Sequence, residues 1–246
     1  MAPENFKRII QAKRSIVVAA DVTKIVELVD LLNAIRGVRQ IGAIKLGIGA
    51  GLNGLAKMAD IAKTILGNEF PLIYDHQKAG NDIPGMGKVF AEKIKLAGVN
   101  NVILFPFTGP ETQEAWTKAC FDAGLNILIG GMMTHAKFLV REGGYIADDA
   151  PERIFRLACK LGVRHFVVPG NRINWVRYLK TVLYDELGEG NFVLYAPGFI
   201  TQKGDISECG QVAGKEWHAI VGSAIYGKKT RQEMKEAAIT VTKMIG

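Results

Sequence analysis

The chain is poor in cysteine, in long apolar runs and in cofactor-binding signatures. Its three cysteines, Cys120, Cys159 and Cys209, are odd in number, widely spaced and free of any CxxC pair. That pattern excludes a disulfide framework and predicts reduced thiols. No apolar run approaches the ~18 residues that cross a bilayer, so no membrane partner is expected. The opening residues, Met-Ala-Pro-Glu-Asn-Phe-Lys-Arg, lack the apolar core of a secretory signal, and the expectation is a cytoplasmic protein. The four histidines show no metal-ligand spacing. No GxGxxG fingerprint is present, and Gly47-Ile-Gly-Ala-Gly-Leu52 lacks the Lys-Ser/Thr ending of a phosphate loop. Neither a metal nor a cofactor is therefore expected. The formal charge of +7, from 31 basic and 24 acidic residues, is scattered and not interleaved with aromatics. It favours anionic ligands in general, without the stripe that nucleic-acid binders carry.

What the 246 residues do have is a repeating alternation. Eight short apolar runs begin at Ser15, Ile41, Pro71, Asn101, Leu125, His165, Asn191 and His218, at spacings of 26, 30, 30, 24, 40, 26 and 27 residues. One strand, one turn and one helix of three to four turns fill each interval. Between the runs the apolar residues recur at helical spacing. One set runs from Ile25 to Ile35 before Gly37, a second from Phe90 to Leu96 before Gly98, and a third from Ile154 to Leu161 before Gly162. A last helix is expected from Thr230 to about Ile245. Strands that read as continuous apolar runs are buried on both faces and need helical crossovers. Eight evenly spaced units predict a single (β/α)₈ barrel domain over residues 1–246, with a doubly wound open sheet as the structural alternative. The longest connection, from about Met132 to Asp149, is a candidate active-site loop.

Barrel enzymes carry their chemistry where the strands end. The strand ends here supply Asp21, then Lys45, then Asp75 with Lys78. Later strands supply Thr134 and His135, Asn171 and Arg172, Gln202 and Lys203, and finally Gly222 and Ser223. Lys45 is the least ordinary of these, because its neighbours Ile44 and Leu46 are apolar. Its ammonium is expected to point into the barrel mouth and to need a carboxylate. The stretch from Asp75 to Asp82 places three charges of alternating sign beside a buried strand end. Pro197-Gly198 and Gly204, with Gly222, would let backbone amides approach a phosphate after the last two strands. His135 and His165 are assigned no chemistry.

Together these residues resemble the orotidine 5′-monophosphate decarboxylase family. The central segment reads Asp75-His-Gln-Lys78-Ala-Gly-Asn-Asp82-Ile83-Pro84, against the family's Asp-x-Lys-x-x-Asp-Ile-Pro. Asp21 and Lys45 resemble the family's charged residues on strands one and two. Met133-Thr134-His135, Pro197-Gly198-Phe-Ile-Thr-Gln202-Lys203-Gly204-Asp205 and Val221-Gly222-Ser223-Ala224-Ile225-Tyr226 resemble its later motifs. The chain departs from the pattern in spacing, with one extra residue on each side of Lys78. Ser223 stands where the family has a phosphate-gripping arginine, Lys203 replaces one glycine, and the Thr that usually follows the Asp-Ile-Pro segment has no counterpart, Met86 lying near that point.

The resemblance implies a cofactor-independent decarboxylase acting in pyrimidine biosynthesis. It would convert orotidine 5′-monophosphate to uridine 5′-monophosphate and CO₂, with Lys78 as proton donor. Asp75, Lys45 and Asp82 would complete the charged array. Asp21 would hold a ribose hydroxyl, Thr134 and Gln202 the pyrimidine edge, and Pro197, Lys203, Gly204, Gly222 and Ser223 the rest of the substrate. Lys203, or Lys228 and Lys229, would replace the missing phosphate charge. A homodimer is implied, with Asp82 and Ile83 reaching the partner's site. The alternatives are a sugar-phosphate decarboxylase or aldolase of the ketogulonate-phosphate or hexulose-phosphate type, which uses a metal, and a nucleotide-binding barrel with weak catalysis. Ile83-Pro84 and Gln202 favour the nucleotide enzyme.

Overall fold

The computed structural model describes residues 6–76 and 79–246. Eight parallel strands close into a barrel in sequence order: β1 (Arg14–Ala20), β2 (Ile41–Leu46), β3 (Leu72–Asp75), β4 (Asn101–Leu104), β5 (Asn126–Gly130), β6 (His165–Val167), β7 (Val193–Ala196) and β8 (Trp217–Val221). Closure is made by β1 pairing with both β2 and β8. Helices follow the strands: α1 (Ile25–Ile35), α2 (Ile48–Leu52), α3 (Leu55–Leu66), α4 (Met86–Leu96) and α5 (Pro110–Asp122). The second half continues with α6 (Ala150–Lys160), α7 (Ile173–Leu187), α8 (Ile206–Ala213), α9 (Ser223–Tyr226) and α10 (Arg231–Thr242). The expected (β/α)₈ barrel is thus the observed fold, and each strand begins within two residues of its expected start.

The strands read as apolar throughout because both of their faces are covered. Ile16, Val18, Ile44, Leu46, Leu72 and Tyr74 face the helices, while Val17, Ala19, Ala43, Ile73, Ile103, Leu128, Val193 and Ile220 fill the barrel. Each of the valine, leucine and isoleucine side chains contributes about 1.5–3 kcal/mol by leaving water. α10 starts on a capping box, in which Thr230 Oγ1 accepts from the Glu233 amide and the Glu233 carboxylate accepts from the Thr230 amide.

The N-terminal segment closes the barrel floor with Phe6, Ile9 and Ile10 against the interior cluster. The Arg8 guanidinium grips Glu216 through contacts of 2.7, 2.9 and 3.1 Å, tying this segment to the start of β8. Above it lies a sealed polar cluster. Ser15 Oγ sits 2.8 Å from His218 Nδ1, His165 Nε2 lies 3.2 Å from the Lys7 carbonyl, and the Tyr195 ring packs against both histidines. Burial lowers His165 to about 4 and His218 to about 3, and it raises Tyr195. The histidine rings are therefore neutral at pH 7.

Candidate active site

Inward-facing positions of adjacent strands stand side by side, and the register aligns Ala19, Lys45 and Ile73 across β1, β2 and β3. Lys45 therefore shares the interior face with Ala43, near the C-terminal end of its strand. Its Nζ lies 3.1 Å from Asp21 Oδ1 and 3.2 Å from Asp75 Oδ2. Lys45 and Asp75 are buried, at 5% and 8% exposure. Burial by itself would push the Lys45 ammonium down, but Asp75 and then Asp21 more than offset it, and the net shift is upward. Lys45 is thus a fixed cation. Gly47 makes room for this cluster, since a Cβ there would fall 2.2 Å from Asp21 Oδ1.

These charges form one wall of a cavity of about 750 Å³ at the C-terminal mouth of the barrel. Met132, Met133, Thr134 and His135, from the start of the β5–α6 connection, form a second wall. That connection is braced by a Glu142–Arg172 ion pair, and Arg172 Nη1 also reaches the Met133 carbonyl at 3.4 Å. The Arg172 side chain is engaged there and is not among the cavity-lining residues. Asn171 does line the cavity, and its Nδ2 donates to the Thr134 carbonyl at 3.1 Å and the Gln202 carbonyl at 3.4 Å. It ties the β5 and β7 loops together.

The far wall comes from the β7 and β8 loops: Pro197, Gly198, Thr201, Gln202, Gly222 and Ser223. The β7 loop folds tightly. The Ile200 amide donates to the Gly204 carbonyl and the Gly204 amide to the Gly198 carbonyl, each at 3.1 Å. Ile200 and Lys203 adopt left-handed backbone conformations (φ 63° and 65°), an uncommon state for a β-branched residue. This path turns Thr201 and Gln202 to the cavity. Lys203 is exposed on the same loop and is not among the lining residues, nor is the half-buried Gly204, where a Cβ would meet the Gly198 carbonyl at 2.5 Å. Lys228 and Lys229 border a separate groove with Ile200, Glu233 and Glu236.

The structure therefore gathers Asp21, Lys45, Asp75, Thr134, Pro197, Gln202, Gly222 and Ser223 around one cavity. Asp82 and Ile83 stand apart from it and are exposed. Asp82 Oδ1 accepts from the Ile83 amide at 2.7 Å, and Ile83 is 66% exposed. Lys78 lies outside the described residues. Among the lining residues that sequence reasoning did not single out are Phe105, Thr201 and Tyr226. The Tyr226 hydroxyl is shifted upward, first by burial and then by Asp21, which places it electrostatically beside the charged wall. Its only sequence signal was its position in the last rim motif.

A closed parallel barrel with an Asp–Lys–Asp cluster at the strand ends, its Lys45–Asp75 pair buried, is the architecture of a (β/α)₈ enzyme. Known proteins narrow that class. No family model matches the chain. Orotidine 5′-phosphate decarboxylase from Methanosarcina mazei is 27% identical over 233 residues, covering 93% of this chain and 94% of that protein. The enzyme of that name from Methanococcoides burtonii is 26% identical over 231 residues, covering 91% and 94%. In fold, the chain is similar to the crystal structure of orotidine 5′-monophosphate decarboxylase from Methanocaldococcus jannaschii complexed with the inhibitor BMP. The TM-score is 0.78 at 22% identity, covering 95% of this chain and 99% of that one. The resemblance read from the sequence is borne out: the relatives are orotidine 5′-phosphate decarboxylases, carboxy-lyases by name.

Proposed function

We propose that the protein decarboxylates orotidine 5′-monophosphate to uridine 5′-monophosphate and CO₂ without a cofactor, as a cytoplasmic homodimeric step of pyrimidine biosynthesis. The observation that carries this reading is the Asp21–Lys45–Asp75 cluster, built around a buried Lys45–Asp75 pair at the strand ends of a fold shared with named decarboxylases. The chemistry is demanding because the departing electron pair lies in the plane of the pyrimidine ring, where the π system does not delocalise it well. A preorganised cation beside the reacting carbon meets that demand, each such interaction supplying on the order of 3–4 kcal/mol.

In the proposed mechanism the bond from C6 to the carboxylate breaks and CO₂ leaves. The electron pair stays on C6, which takes a proton from the Lys78 ammonium, and water later restores that proton. Asp75 stands near the substrate carboxylate and repels it until CO₂ is lost. One ammonium and two carboxylates at Lys45, Asp21 and Asp75 sum to a single negative charge, which Lys78 would balance. Asp21 also holds a ribose hydroxyl, and Thr134 and Gln202 meet the pyrimidine edge. Pro197, Lys203, Gly204, Gly222 and Ser223 belong to the loops that enclose the phosphate end. Asp82 and Ile83, exposed and clear of their own cavity, act across the dimer.

The test is to incubate the purified protein with orotidine 5′-monophosphate and a chelator and to follow ultraviolet absorbance. Turnover is expected in the wild type and is lost in Lys78→Ala, with the circular dichroism spectrum unchanged. Near-wild-type turnover in that variant refutes the mechanism, and a metal requirement favours the sugar-phosphate alternative.

A further inference from the structure

The two sides of the cavity differ in charge. Among the described residues that line it, Lys45 is the sole lysine or arginine, and it is held between two carboxylates. The wall made by the β7 and β8 loops carries no cation among those residues: Arg172 is occupied by Glu142, and Lys203 is exposed and not among the lining residues. That wall carries hydroxyls instead. Thr201 Oγ1 and Ser223 Oγ meet at 2.8 Å, bridging the two loops. In such a pair one hydroxyl hydrogen is used between the partners and the other is left to donate outward. An arriving phosphate can turn both hydroxyls toward its oxygens, exchanging a neutral bond for two charge-assisted ones. Gly198 and Gly222 flank the pair without side chains that would hold a ligand away from the backbone.

We propose that the Thr201–Ser223 hydroxyl pair is the phosphate subsite of this chain, gripping a nucleotide phosphate through neutral donors rather than a cation. The inference rests on the nucleotide reading above and adds to it how the substrate is gripped. A neutral grip has two consequences. Affinity falls only shallowly with salt, since no counterion-releasing cation is engaged. Discrimination between a nucleotide and its nucleoside is smaller than a bidentate arginine would give.

Calorimetric titration of the full chain with uridine 5′-monophosphate and with uridine, at low and high salt, tests this. Thr201→Val and Ser223→Ala are each expected to weaken the nucleotide about tenfold, the loss of one charge-assisted hydrogen bond, with uridine affinity unchanged. Ser223→Arg is expected to tighten the nucleotide and steepen its salt dependence. The inference is overturned if both hydroxyl deletions leave nucleotide affinity intact, or if Lys203→Ala removes it. Wild-type turnover of orotidine 5′-monophosphate reads the underlying function separately. Turnover with hydroxyl-independent nucleotide binding sinks this inference alone, whereas absence of both turnover and nucleotide binding sinks both.

Discussion

The mouth and the floor of the barrel both bury polar side chains inside apolar strands, and they treat charge in opposite ways. At the mouth, Lys45 is raised because two carboxylates outweigh its burial. At the floor, His165 and His218 are lowered because burial dominates and, among the described residues, no carboxylate offsets it, their hydrogen bonds going to a carbonyl, a phenol and a serine. The mouth adjoins an open cavity, and the floor is sealed by Phe6, Ile9 and Ile10. A buried charge kept with its partners beside a cavity is available for chemistry. A buried polar group kept neutral under an apolar plug serves packing.

The sharpest way to break this contrast is to remove the mouth cation. Lys45→Ala removes the cation that stands 3.1 Å from Asp21 and 3.2 Å from Asp75, a loss of about 3–5 kcal/mol where a buried pair is broken. Turnover should fall by about a thousandfold or more, and thermal unfolding should show the destabilisation. Retained activity would mean that the mouth cluster is structural, like the floor.

Acid should then find the floor. Both histidines titrate lower when folded than the ordinary value near 6.5. Above that value neither state binds the proton and their contribution to stability is whole. As pH falls below about 6.5 the unfolded chain takes up protons that the fold refuses, and stability drops until pH reaches about 4 for His165 and about 3 for His218. Each histidine contributes on the order of 3 kcal/mol to that loss. Denaturant midpoints measured from pH 7 to pH 4 should show it, with a shallower slope in His218→Asn. An unchanged slope would return the acid sensitivity to the carboxylates.

The smallest effect sharpens the mouth without removing a charge. Gly47→Ala would press a methyl group to within 2.2 Å of Asp21 Oδ1 and force the carboxylate aside. A displacement of that order costs about a hundredfold in rate when it misplaces a reacting group. The measurement is kcat against KM: a rise in KM alone would make Asp21 a binding contact, and a fall in kcat would make it part of the charged array.

Strand positions were legible because burial on both faces leaves an unbroken apolar signature, and Lys45 stood out because it interrupts one. His165 and His218 interrupt apolar runs in the same way. What separates them from Lys45 is place along the strand: they sit at the start of β6 and β8, whereas Lys45 sits near the end of β2. The β7 loop was the least legible region. Sequence adjacency ranked Lys203 with Gln202 as a ligand contact. The loop, with left-handed turns at Ile200 and Lys203 that no glycine announces, instead brings Thr201 to the cavity lining and leaves Lys203 exposed beside it. Asp82 and Ile83 were recognisable by motif, but the direction in which they project depends on the turn before α4, outside the reach of residue spacing.

The upward shift of Lys45 has a last consequence. An amine that stays protonated has no lone pair, and without one it cannot condense with a carbonyl to form an imine. The buried lysine of this mouth is therefore closed to covalent capture of an aldehyde or ketone sugar, and electrophiles that consume neutral amines would find it unreactive for as long as its two carboxylates remain in place.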